Sequence, residues 1–154
     1  MQRRLLVLAL LAFSGCTLLQ PPAEPVKREP VTSPDAPAAI GPYSQAIKVG
    51  NQLFCSGQLG IDPATEDLII GDIKQETRQV LKNLGAVLRA AGMDYKDVAK
   101  ATVFLTDMND YKLMNEAYAE FFTEIKPARE TVQIVKLPRE GARVEISCMA
   151  VKVE

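Results

Sequence analysis

Histidine is missing from all 154 residues. That absence excludes Ser-His-Asp and Cys-His nucleophile pairs, zinc sites built on imidazole, and histidine general bases. Tryptophan is missing too, aromatic residues make up 6%, and none of the three cysteines stands in a Cys-x-x-Cys or other metal-ligand spacing. No basic excess exists either. With 18 Lys and Arg against 19 Asp and Glu, the formal charge is −1, which lacks the electrostatic footprint of nucleic-acid binding. Catalysis must therefore come from Arg, Lys, Asp, Glu, Tyr, Thr or backbone groups. At 47% hydrophobic and 24% charged, the composition is that of one globular domain.

The N-terminus reads as an export signal, MQRRLLVLALLAFSGC, with Arg3 and Arg4 ahead of an apolar run from Leu5 to Phe13. As a helix that run is about 13 Å long at ~1.5 Å per residue, too short for a hydrocarbon core of about 30 Å. Phe13-Ser14-Gly15-Cys16 resembles a bacterial lipobox, with Phe13 where Leu is usual. The expectation is a signal peptide over residues 1–15, a lipidated Cys16, and a membrane contact made through acyl chains alone. Thr17 after the cysteine favours the outer membrane, with the domain facing the periplasm. Residues 16–36 are proline-rich and read as an extended tether, and the folded domain is expected over 37–154. Removing residues 1–15 takes away Arg3 and Arg4 and no acid, moving the formal charge from −1 to −3.

Within the domain, Ser44 to Val49 and Gln52 to Ser56 read as strands joined by Gly50-Asn51, a pair suited to a tight hairpin. Asp72 can cap a helix with Gln75 three residues on. Ile73, Val80, Leu81, Leu84, Val87, Leu88 and Ala91 then form one apolar stripe that Gly92 stops. Val98 to Thr106 reads as a strand. Met114, Ala117, Tyr118, Phe121, Phe122 and Ile125 mark a second helix ended by Pro127, and strands follow at Glu130 to Val135 and Arg143 to Val151. The order ββαβαββ predicts an α+β domain, a single sheet with two helices on one face. The last strand carries apolar residues on both faces, so the uncovered sheet face points to self-association. Cys55 and Cys148 fall in apolar strands and read as buried thiols, with a disulfide as the alternative.

Four places could carry chemistry. Tyr43, in Gly41-Pro42-Tyr43, is either packed at the hairpin mouth or presented to a ligand, and Gly57, in Ser56-Gly57-Gln58, marks either a bulge or a close approach. Arg129, directly after a helix stop, is either solvated or an anion clamp whose planar fork fits a carboxylate. Glu145, in an apolar strand, is either on a wet sheet face or a desolvated carboxylate able to pass a proton.

In order and spacing, APAAIGPYSQA, FCSGQLGIDP, TVFLTDMNDY with MNEAYAEFF, KPARETVQI and LPREGARVEISCMAV resemble the RidA (YjgF) family of reactive intermediate deaminases. The resemblance runs from about Ala36 to the C-terminus. It implies a chorismate-mutase-like homotrimer with clefts between subunits. The activity implied is hydrolysis of enamines and imines of the 2-iminobutanoate and 2-iminopropanoate type to 2-oxo acids and ammonia, without metal or organic cofactor. By the same resemblance Arg129 binds the substrate carboxylate, Glu145 positions or activates water, and Tyr43 and Gly57 line the cleft. Thr131 stands where many members have a cysteine, which keeps a hydroxyl donor but loses thiol chemistry. The segment before Arg129 is shorter than in some relatives, and Ser147 replaces a common second glutamate. The competing expectation is a non-catalytic envelope module that captures small carboxylates. RNA is not an expected partner.

Overall fold

In the computed structural model, residues 25–153 are described, and they form one six-stranded sheet with two helices. The expected signal segment and Cys16 lie outside the described residues. The strands are β1 (Arg28–Val31), β2 (Ala46–Val49), β3 (Gln52–Leu59), β4 (Val98–Leu105), β5 (Ala128–Gln133) and β6 (Val144–Val151). The helices are α1 (Ile73–Ala90), between β3 and β4, and α2 (Tyr111–Tyr118), between β4 and β5. In the sheet the order is β1-β2-β3-β6-β4-β5, with β4 and β5 parallel and every other neighbouring pair antiparallel.

This order explains why both helices share one face. Because β6 lies antiparallel between β3 and β4, those two strands run the same way, so α1 and α2 both serve as crossovers between parallel strands. Crossovers of one hand place their helices on the same side of a sheet. There Val80, Leu81, Leu84, Val87 and Leu88 of α1 meet Ala101, Val103 and Leu105 of β4 and Val144, Ile146 and Ala150 of β6, all fully buried. Each Val, Leu or Ile side chain among them contributes about 1.5–3 kcal/mol. Asp72 caps α1 by accepting from the Lys74 amide at 2.9 Å, and Gly92, at φ +74°, turns the chain out of it.

Three sequence expectations change. First, the order gains a strand, because Arg28–Val31 pairs with β2 inside the segment read as a tether. The loop after it is held by Gln45, whose buried amide donates to the Ser33, Ala36 and Pro37 carbonyls and accepts from the Ser33 amide at 2.6 Å. Second, α2 stops at Tyr118, ahead of the expected end. Phe122 still packs in the core, but Ile125 is 75% exposed. Third, β3 runs on to Leu59 through a bulge at Ser56-Gly57.

The sheet face opposite the helices is partly covered by loops, where Leu68, Leu137 and Ala142 pack with Leu59, Phe104 and Ile134. Beyond that cluster Phe54, Met149 and Val132 lie open, each about two-fifths exposed. Cys55 and Cys148 are register partners on the helix side, buried and free, which agrees with the reading of two buried thiols. No helix among the described residues is long and apolar enough to cross a membrane.

Candidate active site

Side chains alternate across a strand, so register assigns each candidate residue to a face. Glu145 lies opposite Phe104 of β4 and Leu59 of β3, and therefore sits on the face away from the helices. It is half-buried, and burial raises its pKa above the ordinary carboxylate range. Room for it comes from Gly57. Ser56 and Gly57 together oppose Ser147, and a Cβ built on Gly57 would lie 2.1 Å from Glu145 Oε1 and 2.6 Å from its Cδ. The bulge reading of Gly57 thus holds, and what approaches it closely is the Glu145 side chain.

The Gly-Pro-Tyr segment is tied to the same bulge. The Ser56 amide donates to the Gln45 carbonyl at 3.0 Å, and the Ser56 hydroxyl donates to the Ser44 carbonyl at 2.7 Å. Tyr43, the next residue, is 52% exposed, and Gly41 leaves space for its ring, with a Cβ there only 3.3 Å from it. Tyr43, Gly57 and Glu145 are therefore brought into one neighbourhood.

Arg129 lies elsewhere. On edge strand β5 it faces Ala101, and Thr131 faces Val103, so both point to the helix side. The Arg129 guanidinium carbon lies 4.6 Å from the Tyr118 ring centroid and 5.9 Å from that of Tyr111, and its Nη2 donates to the Tyr111 hydroxyl at 3.4 Å. Among the described residues no carboxylate pairs with it. By contrast, Arg143 is committed to Asp110 and the Gly71 carbonyl. Two hydroxyls beside this region, those of Thr131 and Tyr118, are buried without a hydrogen-bond partner among the described residues. Such orphans normally mark a missing partner. Burial pushes the Tyr118 phenol up to about 12, although the nearby Arg129 charge opposes the rise. The Tyr111 phenol is lowered, first by its hydrogen bond with Asn115 and then by Arg129.

The candidate residues therefore form two groups on opposite faces of one sheet. Along β4 the partners of Arg129 and Glu145 are three residues apart, and β4 itself separates β5 from β6. At ~3.3 Å per residue and ~4.8 Å per strand, their backbones lie about 14 Å apart, with side chains diverging. A ligand of a few carbons cannot touch both within one chain. Sequence reasoning singles out Arg129 but misses Tyr118, because aromatic residues at helical spacing read as core, and Tyr111, which lies outside that stripe and carries no signal of its own. Tyr118 is both core and the platform under Arg129. No cluster of three or more metal-ligating side chains occurs among the described residues.

Comparison with known proteins agrees with this architecture. Residues 33–152 match the family model described as Endoribonuclease L-PSP. The chain is 48% identical over 125 residues to the 2-iminobutanoate/2-iminopropanoate deaminase of Mus musculus, covering 81% of this chain and 92% of that protein. Among solved structures, one of a Thermotoga maritima protein called a putative endoribonuclease superposes with a TM-score of 0.79 at 46% identity, covering 82% of this chain and 98% of that one. Escherichia coli TdcF with bound serine superposes with a TM-score of 0.78 at 37% identity, covering 81% and 99%. On the family match and this identity, the chain belongs to the RidA (Endoribonuclease L-PSP) family, whose relatives include imine deaminases.

Proposed function

We propose that this protein hydrolyses small enamines and imines derived from amino acids, in sites completed by a second copy of the chain. Water adds to the C=N carbon of a 2-imino acid, a proton moves to nitrogen, ammonia leaves, and the carbon becomes the carbonyl of a 2-oxo acid. Arg129, with the Thr131 hydroxyl beside it, receives the substrate carboxylate from one subunit. Glu145 of the neighbouring subunit takes a proton from water and returns one to the departing nitrogen. Burial raises the pKa of this carboxylate, the direction that suits a group which both takes up and returns a proton. Gly57 gives that carboxylate its place, and Tyr43 closes the rim. An imine is already activated, so positioning supplies much of the rate enhancement.

The observation that carries this reading is the placement of an uncommitted Arg129 and a desolvated Glu145 on opposite faces of one sheet. Phe54, Met149 and Val132 lie open on the Glu145 face. Packing that face against the β5 edge of another copy unites the halves, and a trimer does so around a closed ring. The imine deaminase named above, and serine in the E. coli relative, support a ligand of amino-acid size bearing a carboxylate. Acylation at Cys16, which belongs to the same proposal, places the reaction at the cell envelope, and Cys16→Ala then moves the protein out of the membrane fraction.

The test follows the loss of 2-iminobutanoate generated in situ by an amino-acid oxidase, with wild type and Arg129→Ala. Acceleration by wild type and none by the variant supports the reading. Loss at the uncatalysed rate with folded wild type refutes it.

A further inference from the structure

Arginines that receive a ligand must be held still without spending their N–H donors. A carboxylate partner would fix the guanidinium but occupy its fork, whereas an aromatic ring engages its face and leaves the five in-plane donors open. Arg129 is held in this second way. Its guanidinium lies 4.6 Å from the Tyr118 ring centroid, and its only side-chain hydrogen bond among the described residues is the long 3.4 Å contact to Tyr111. Tyr118 is itself immobilised. It is 7% exposed and stacks on Phe122 at 4.5 Å, and Phe122 meets Tyr95 edge-on at 5.6 Å. The Tyr95 hydroxyl in turn donates to the Leu81 carbonyl of α1 at 2.8 Å. A continuous run of packed rings thus links the guanidinium to α1, while the Tyr118 hydroxyl has no hydrogen-bond partner among the described residues.

We propose that Tyr118 is the positioning residue for Arg129, its ring orienting the guanidinium as a receptor for the substrate carboxylate, with Tyr111 as the outer wall. The inference rests on the function proposed above and adds to it a residue that acts through another. Its role resides in the ring and not in the hydroxyl, which separates two conservative substitutions.

The experiment uses the full-length chain with Tyr118→Phe, Tyr118→Leu and Tyr111→Leu. Turnover of 2-iminobutanoate and calorimetric binding of 2-oxobutanoate are measured alongside the ¹⁵N relaxation of the Arg129 Nε–H, which requires no turnover. Tyr118→Leu is expected to raise KM and weaken 2-oxobutanoate binding roughly tenfold with kcat little changed, and to make the Arg129 Nε–H mobile. Tyr118→Phe is expected to match wild type in all three. Tyr111 is 41% exposed, so Tyr111→Leu leaves the core intact and is expected to weaken binding roughly threefold. Wild-type KM and a rigid Arg129 in Tyr118→Leu overturn the proposal, and so does a loss in Tyr118→Phe equal to that in Tyr118→Leu. Should Tyr118→Leu not fold, wild-type affinity in Tyr111→Leu, or a mobile Arg129 in Tyr118→Phe, overturns it instead. If wild type neither binds nor turns over ligand, the functional reading fails. The relaxation data then decide the aromatic clamp separately.

Discussion

Replacing Gly57 by alanine tests the link between the bulge in β3 and the chemistry of Glu145. The added methyl would lie 2.1 Å from Oε1, 2.6 Å from Cδ and 2.9 Å from Cγ of Glu145, all well inside van der Waals contact. Gly57 has no positive φ, so alanine introduces no backbone strain, and the conflict is confined to one side chain. Overpacking usually costs about 1–3 kcal/mol. Here the low end applies, because Glu145 is only half-buried and can swing aside. Loss of unfolded-state freedom offsets about 0.4–1 kcal/mol. Gly57→Ala should therefore unfold in urea within about 1 kcal/mol of wild type. On the proposed function its kcat should nevertheless fall roughly 100-fold, as for Glu145→Ala, because the proposed proton-transfer group has left its position. KM should move little, since Arg129 is untouched. In a Glu145→Ala background the clash is gone, so adding Gly57→Ala should cost no further activity and should raise stability by about 0.5 kcal/mol. Wild-type kcat in Gly57→Ala, or additive losses in the double variant, would refute the reasoning.

Glu145→Gln should stabilise the protein at neutral pH. Burial raises the folded-state pKa, so the contribution of Glu145 to stability is full below its unfolded value near 4.5 and is lost as pH rises through the folded one. Urea midpoints should show the glutamine variant ahead at pH 7 and level with wild type below about pH 4.5, and an advantage that grows on acidification contradicts this. Mixing Arg129→Ala subunits with Glu145→Ala subunits, then unfolding and refolding them together, should restore about a quarter of the wild-type sites in a ring of random composition. Absence of any recovery, although mixed assemblies form, places both residues in one subunit's site. Glu76 is 2% exposed and accepts from the Arg143 amide at 2.8 Å, so Glu76→Ala strands a buried donor and should cost about 1–3 kcal/mol by urea denaturation. An unchanged midpoint would show that the contact contributes nothing.

Where a segment buries one face, the sequence announced it. The stripe of α1 and its Gly92 stop appear as expected, and Asp72 caps it through the Lys74 amide without a part for Gln75; the Gly50 hairpin turn also appears, at φ +59°. Strand β1 was hidden because its side chains are largely exposed and it exists through backbone bonds to β2, which its own composition does not reveal. The second helix was read too long because Phe121 and Phe122 keep helical spacing while the chain has already left the helix. The face of Glu145 was readable, since Val144, Ile146, Cys148 and Ala150 define the buried side of β6. That of Arg129 was not. In Ala128–Gln133 neither set of alternate residues is apolar, so only pairing with β4 decides it, and pairing between distant segments is set by tertiary structure.

Strand β5 forms the rim of the sheet, and none of its residues is fully buried. Within the single chain, substitutions there disturb little packing, unlike changes in β4 or β6, where one lost methylene is felt throughout the interior. The strand proposed to receive the ligand is thus one that carries little of the core of its own chain. On the proposed function, an exchange at Thr131 would shift the preferred substrate while the core of the chain stays intact. In this fold new specificity is reached from the margin inward.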